Sequence, residues 1–288
     1  MAVQATSSGP LAGVVQRSPA QRPRSARARL RRLGPSAVLL IISVALLYPV
    51  IDAAVGTFLT QGTGQPTLQY WSQVFHAVPV LGDMGVSLAL SIGVVCGVIL
   101  IATPCGYALA KLRFRGSGVV FALAVACMMI PTESILIPEY INFVRLGMVG
   151  TLWGTAAVYV GMGIPFGVFL TANYFRQIPD SLVEAAHVDG AGNVQAFLRV
   201  MLPLARPALA IVAVMQFLGV WNDLLTALLF MPQQVQTIGV GLASLPGTHV
   251  ANTNAMVAGS VLSAIPPVLV YLIFQRHLIG GLTMGAEK

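Results

Sequence analysis

This sequence carries little charge. Only 9% of its 288 residues are Asp, Glu, Lys or Arg, against roughly 25% in soluble domains, which excludes an ordinary water-solvated globule. Cysteine is scarcer still, with three residues. Cys96, Cys105 and Cys127 all lie inside apolar runs, with no CxxC and no Cys/His spacing. Neither a disulfide framework nor a metal site is expected from them, and they read as small buried apolar residues. There is no GxSxG, HExxH or Walker A motif, and no pair of carboxylates on one helix face, so catalysis within the chain is not expected. The segment GMGIPFG at 161–167 is no nucleotide loop, because no strand precedes it. His76 and His249 read as solvated loop residues, and His187 falls in a polar connector.

Acidic residues are missing altogether from residues 1–33, where seven Arg stand among Ser, Ala and Pro. Such a start resembles an organellar transit peptide, but an apolar helix of membrane length follows at once and nothing marks a cleavage site. Residues 1–33 are therefore expected to be a disordered basic tail lying against anionic lipid headgroups. The net charge of +7 raises a nucleic-acid reading. The cations flank apolar spans, however, which membrane topology explains better.

What is abundant is apolar sequence, 56% of the chain. It falls into six segments near the roughly 20 residues needed to cross the hydrocarbon: Gly34–Leu59, Val86–Ala110, Gly118–Tyr140, Thr151–Tyr174, Pro207–Phe230 and Ala255–Phe274. The fold class is thus an all-α polytopic membrane protein with six transmembrane helices. Fifteen of the sixteen Lys and Arg fall on one side of this arrangement, with Arg145 alone opposite. The positive-inside rule then places both termini in the cytoplasm. The outer connections are 60–85, 141–150 and 231–254, and Tyr70 and Trp71 in the first are expected at headgroup level.

Pro49, Pro104, Pro131, Pro138, Pro165, Pro266 and Pro267 lie in or near the spans and are expected to kink them. Gly93-x-x-x-Gly97 and Gly163-x-x-x-Gly167 are patterns that permit close helix contact. Ionisable groups within spans usually face a cavity or a partner. Glu133 in the third span and Trp221, Asn222 and Asp223 in the fifth are candidates for a hydrophilic pathway, with carboxylates accepting from hydroxyl-rich solutes and the indole as a stacking surface. The competing reading is structural, in which Asn222 and Asp223 bond neighbouring helices or a broken backbone. Glu139 stands close enough to the surface for solvation to suffice.

The most sharply punctuated stretch is the cytoplasmic connector 178–207. Ser181 followed by Glu184 fits a capping box, and Asp180 adds negative charge where a helix N-terminus favours it. Leu182, Ala185 and Ala186 share one face of the short helix so defined. Gly190 is the expected stop, and a second helical run, Val194 to Leu202, is expected to end at Pro203. Two alanines beside a glycine corner would let a large partner approach closely. The plain alternative is a connector that only caps two membrane helices.

This stretch resembles the EAA loop of binding-protein-dependent ABC transporter permeases. The pattern EAA…DGA…F…LP…P is met by Glu184, Ala185, Ala186, Asp189, Gly190, Ala191, Phe197, Leu202, Pro203 and Pro207. The segment 130–154, the run from Phe217 to Asp223, and the ending FQRHLIGGLTMGAEK resemble the carbohydrate-uptake subgroup. The likeness runs from about residue 35 to the end. Val86 before Ser87 departs from the usual Asn-Ser.

The resemblance implies the type I ABC importer permease fold over residues 34–288, in a bacterial cytoplasmic membrane. It also implies a hetero-dimer with a second permease, two ATP-binding subunits, and an extracytoplasmic solute-binding protein. ATP and magnesium would be held by the partner ATPase, with no cofactor in this chain. Ser181, Glu184, Ala185, Ala186, Asp189, Gly190, Ala191, Leu202 and Pro203 would carry the coupling to it. The implied cargo is a di- or oligosaccharide; a polyol or glycerol phosphate is the alternative, although the spans show no cations for a phosphate. An ion-coupled secondary transporter would tend to show inverted repeats, and none is seen. A membrane-embedded hydrolase would need a catalytic set that is missing here.

Overall fold

The computed structural model describes residues 26–112, 114–245 and 253–283. Most of the basic tail, Arg113, His249 and Lys288 lie outside the described residues. The chain divides into two compact units at Asp52 and Ala53. Up to that point the described chain is one uninterrupted helix, α1 (Ala26–Gly56), which continues a short way into the second unit.

The second unit is all helical. Its elements are α2 (Gln69–Ala77), α3 (Val80–Lys111), α4 (Ser117–Cys127), α5 (Thr132–Arg145), α6 (Leu152–Gln177) and α7 (Ser181–Val188). They are followed by α8 (Asn193–Ala196), a π-helical turn (Phe197–Met201), α9 (Leu202–Leu204), α10 (Arg206–Asn222), α11 (Leu225–Phe230), α12 (Ile238–Ala243) and α13 (Thr253–Thr283). Four helices are long and apolar enough to cross a membrane: Ala37–Gly56, Val80–Lys111, Leu152–Gln177 and Thr253–Arg276. If each of two bent pairs is counted as one span, the number rises to six among the described residues. Ser117–Cys127 meets Thr132–Arg145 at 101°, and Asn193–Leu204 meets Arg206–Asn222 at 73°.

The third expected span, 118–140, is therefore not straight. Pro131 is the N-cap of α5 with an extended backbone (φ −59°, ψ 128°). A proline also disfavours helical dihedrals in the residue before it, here Ile130, so the chain turns at Met128–Pro131. By contrast Pro104, Pro138, Pro165, Pro266 and Pro267 lie inside helices that continue through them. The fifth expected span, 207–230, also breaks. Asp223 is extended (φ −77°, ψ 128°) and separates α10 from α11.

The central contact is between α3 and α6, which run parallel and meet through glycines. A Cβ at Gly97 would lie 2.8 Å from Val160 Cγ2, and one at Gly167 would lie 2.7 Å from the Ala102 Cβ. A Cβ at Gly106 would meet the Ala172 backbone nitrogen at 2.8 Å and overlap the Thr171 hydroxyl. Thr171 Oγ1 reinforces the approach, lying 3.1 Å from Ala102 O across the interface and 2.7 Å from Gly167 O in its own helix. Val94, Val98 and Ala102 of α3 pack here with Val168 and Ala172 of α6 and Val212 of α10. Gly93 has nothing within 4 Å, so only Gly97 of that expected pair serves contact.

Three further expectations are corrected. Cys96, Cys105 and Cys127 are exposed rather than buried, because they fall on faces of α3 and α4 that point away from this core. Tyr70 is buried and accepts a hydrogen bond from the Gln61 N–H, while Trp71 stacks on Phe58 at 5.0 Å. Both therefore pack within the protein. One carboxylate oxygen of Glu139 is buried without a hydrogen-bond partner, so solvation does not reach it. Ser87, which follows the departure at Val86, accepts from the Ile238 N–H at 2.8 Å and fixes the start of α12 on α3.

Replacing Gly106 with Ala would place a methyl group against backbone, and overpacking of that kind costs roughly 1–3 kcal/mol. Gly106→Ala is expected to lower the thermal unfolding temperature of the detergent-solubilised protein measurably, whereas Gly93→Ala should leave it unchanged or raise it slightly. Equal behaviour of the two would show that the α3–α6 approach is looser than these distances.

Candidate functional site

Two places gather the polar residues singled out from sequence. The first is the connector. Helix α7 starts at Ser181 with Asp180 as its N-cap, and that cap is already helical (φ −64°, ψ −27°) and makes no side-chain capping hydrogen bond to the helix. The expected capping box does not form, because the helix begins a residue early and Ser181 sits in its first turn. Gly190 does end the helix, in the left-handed conformation (φ 84°). The Ala191 N–H bonds Ala186 O at 2.9 Å and the Gly190 N–H bonds His187 O at 3.0 Å, the paired closure of a Schellman motif.

The second helical run does not end at Pro203. It continues to Leu204 through the π-helical turn Phe197–Met201, and the change of direction comes at Ala205. Leu202, the residue after that turn, bonds back to Phe197 O. Pro203 lacks an N–H to donate, and a π-bulge is one way a helix absorbs such a local mismatch.

The connector is held from beneath by an aromatic cluster. Phe197 lies 5.0 Å from the Tyr107 ring of α3, and Tyr107 meets Phe175 of α6 edge-on at 5.8 Å. Val183 and Met201 are buried in the same cluster. Nothing local in the sequence marks Lys111. Its side chain is 3% exposed, and Nζ donates both to Ile178 O and to Asp180 Oδ1 at 2.5 Å. The Asp180 carboxylate is 69% exposed, and exposed ion pairs contribute only about 0–1 kcal/mol. The backbone acceptor at Ile178 is thus the stronger half of this tether. Tyr174 donates to Leu204 O at 3.2 Å and ties down the far end.

Outward from this anchorage, Leu182, Ala185, Ala186, Asp189, Gly190 and Ala191 line an open cleft of about 430 Å³ with Arg199 at its edge. Ala186 is buried at its floor, while Ser181, Glu184 and Ala185 are exposed. Leu202 and Pro203 stand apart from the cleft, in the turn beyond Met201.

The second place is a cavity of about 400 Å³ beside the two helix breaks. Glu133, Asn222 and Asp223 line it together, with Thr132, Tyr159, Gln216 and Thr226 added. Glu133 sits in the first turn of α5, where the helix dipole favours a carboxylate. Asp223 Oδ1 accepts from the Thr226 N–H at 3.3 Å, so it caps α11, and Asn222 Nδ2 donates to Leu218 O of its own helix. The broken-backbone reading of this pair is what their hydrogen bonds describe, and their place in the cavity wall adds to it. Trp221 is the exception. It is 4% exposed, stacks on Phe217 and donates to Ser263 O at 3.0 Å. Its indole therefore joins α10 to α13 and offers no stacking surface. Tyr159 and Gln216 were missed because a tyrosine and a glutamine in apolar helices carry no motif; only their position beside Gly163 reveals them.

A bundle of apolar helices with a polar helix–glycine–helix connector on an open cleft defines a membrane transport subunit. The chain belongs to the family of binding-protein-dependent transport system inner membrane components, whose sequence profile matches residues 102–283. It is 35% identical over 204 residues to the osmoprotective compounds uptake permease protein GgtD of Synechocystis, covering 70% of this chain and 68% of that one. It is 29% identical over 260 residues to the maltodextrin transport system permease protein MdxG of Bacillus subtilis, covering 87% and 94%. The fold matches a chain of a bacterial ABC transporter involved in import of the acidic polysaccharide alginate. That match has a TM-score of 0.73 at 23% identity and covers 88% of this chain and 98% of that one. Membership makes the protein a membrane component of a transport system, working with a binding protein and without enzymatic chemistry of its own.

Lys111→Met would leave the partly buried Ile178 O without its partner, a loss of about 1 kcal/mol. Amide hydrogen exchange across Leu182–Val188 is expected to quicken about tenfold or more as the helix detaches locally, with little change in the middle of α6. Exchange at the wild-type rate would show that the aromatic cluster alone holds α7.

Proposed function

We propose that this protein is one of two membrane subunits of an ATP-driven importer of sugars, driven through α7. Both termini and the connector face the cytoplasm in this reading, by the distribution of Lys and Arg. The second permease completes the translocation pathway, two ATP-binding subunits hold ATP and magnesium, and an extracytoplasmic binding protein delivers the solute. The observation that carries the proposal is the outward side of α7. The Glu184 carboxylate makes no hydrogen bond among the described residues, and Val188 is 87% exposed and Leu182 41% exposed beside it. Exposed apolar side chains rimmed by charge are characteristic of protein interaction sites.

Asp189 and Arg199 complete that rim. The tether at Lys111 and the Tyr107–Phe175–Phe197 cluster would pass a displacement of α7 to the ends of α3 and α6 together. The sugar assignment rests on the relative named for maltodextrin transport, and a relative named for osmoprotective compounds is compatible with the alternative of a polyol.

The test is made on the importer purified with its partners. Gly190→Val must put a β-branched residue at a positive φ, costing about 1–2 kcal/mol where no neighbouring atom interferes. It is expected to reduce both solute uptake and transport-linked ATP hydrolysis several-fold. Glu184→Gln should weaken hydrolysis less, and Gly190→Asn, which tolerates that conformation, should largely retain it. Wild-type coupling in both Gly190→Val and Glu184→Gln, or a protein that purifies with no ATPase bound, would sink this reading.

A further inference from the structure

A buried carboxyl that belongs to neither site described above lies at the opposite end of α3 from the connector. Asp83, in the first turn of that helix, is 5% exposed, and its Oδ2 has no hydrogen-bond partner. Helix α12 lies against it. A Cβ at Gly241 would overlap Asp83 Oδ2 and lie 2.9 Å from Val78 Cγ1, so α12 comes this close only because residue 241 is glycine. One turn further along α3, Ser87 Oγ accepts from the Ile238 N–H at 2.8 Å. The two helices thus meet at one hydrogen bond and one unpartnered carboxyl.

The contact braces more than α12. Ile238 is fully buried with Tyr70 and Val74 of α2 and with Phe217 and Trp221 of α10. Leu242 fills the space beside Gly259 of α13. Whatever holds α12 to α3 therefore helps to hold one end of three further helices.

No cation answers this carboxyl. Among the described residues no Lys, Arg or His nitrogen lies within 4.0 Å of it. Helix α12 and the turn Val78–Pro79 carry no ionisable side chain. Helix α2 brings Tyr70, whose hydroxyl accepts from the Gln61 N–H, and His76, which is exposed with Nδ1 2.7 Å from Ser72 O. The remaining ionisable residues of α3, Tyr107 and Lys111, stand at its other end, as do Arg206 in α10 and the run from Tyr271 onward in α13. An ionised carboxylate buried without a partner is far costlier than the neutral acid.

We propose that Asp83 is a proton-binding latch: it is kept as the neutral acid while α12 is docked, and loss of its proton frees α12 from α3. An undocked Asp gives up its proton near pH 4. Docking then takes up a proton, so α12 is held most firmly in acid, and the hold weakens as pH rises above that value until the docked acid itself ionises. In the orientation proposed above, the latch stands on the extracytoplasmic side, so the acidity outside the cell would set it. The latch itself does not depend on that orientation.

The experiment uses the full-length protein in detergent micelles between about pH 4 and about pH 8, a range that begins at the ordinary carboxylate value. Amide hydrogen exchange of Ile238–Ala243 is expressed as protection relative to a free peptide at the same pH, which removes base catalysis of the exchange. Protection is expected to fall about tenfold or more across this range, with no such fall in the middle of α6. Asp83→Asn, which cannot ionise, should hold its protection level throughout. It should also lose part of the infrared carbonyl band of protonated carboxylic acid that the wild type shows at neutral pH. His76→Gln should keep the wild-type fall. Level protection in the wild type would overturn the latch, as would a fall that survives in Asp83→Asn or vanishes in His76→Gln. A wild-type protein without the protonated carboxyl band would overturn it too, whether or not Asp83→Asn folds.

Discussion

The close approach of α3 and α6 is the constraint on which the rest depends. It requires that residues 97, 106, 163 and 167 have no side chain, since a Cβ at any of them would fall within 3 Å of a neighbour. With little hydrophobic drive between helices in lipid, contact of this kind comes from packing and from hydrogen bonds such as that of Thr171. Because the two helices run parallel, their C-terminal ends arrive together and place Tyr107, Lys111 and Phe175 under the connector. Further back along the same pair, Gly163 leaves room for Gln216 to enter the cavity wall. One packing surface therefore positions both polar sites.

The breaks follow from a second constraint, the need to satisfy backbone groups away from water. Where α10 stops at Asn222, the Asp223 carboxylate supplies an acceptor for α11. Where α4 stops at Cys127, the bonds Met128 N–H to Val125 O, Met129 N–H to Ala126 O and Ile130 N–H to Cys127 O tighten the last turn. The cavity forms between these two interruptions because each leaves a helix start with an acidic residue at or near it. Polar side chains that serve the backbone thus become the wall of a polar space. The structural and functional readings of Asp223 are then compatible, while Trp221 is wholly taken up by packing.

Much of the outline was legible in the sequence. The four long spans and two bent ones, the glycine stop at 190 and the meeting of Glu133 with Asn222 and Asp223 all follow from apolar length, left-handed backbone preference and the cost of charge in lipid. The capping box was misread because Ser181 and Glu184 fit it by spacing alone, and spacing does not say where the first helical residue falls. The cysteines were misread because an apolar run in a membrane helix is apolar on every face, so burial leaves no period in it. Lys111 looked like one cation among those that set topology, and nothing local marked it as a donor to a carbonyl 67 positions on.

By itself the sequence determined which segments enter the membrane and where the one strongly polar connector interrupts them. Hydrophobic length, charge asymmetry and turn chemistry act on neighbouring residues and need no fold. Only the tertiary structure decided which face of each span is used, that the third and fifth spans bend, and that Tyr159 and Gln216 share a cavity with carboxylates from two other helix starts. Those outcomes depend on which helices touch, and that is set by Cβ-free contacts between residues far apart in the chain.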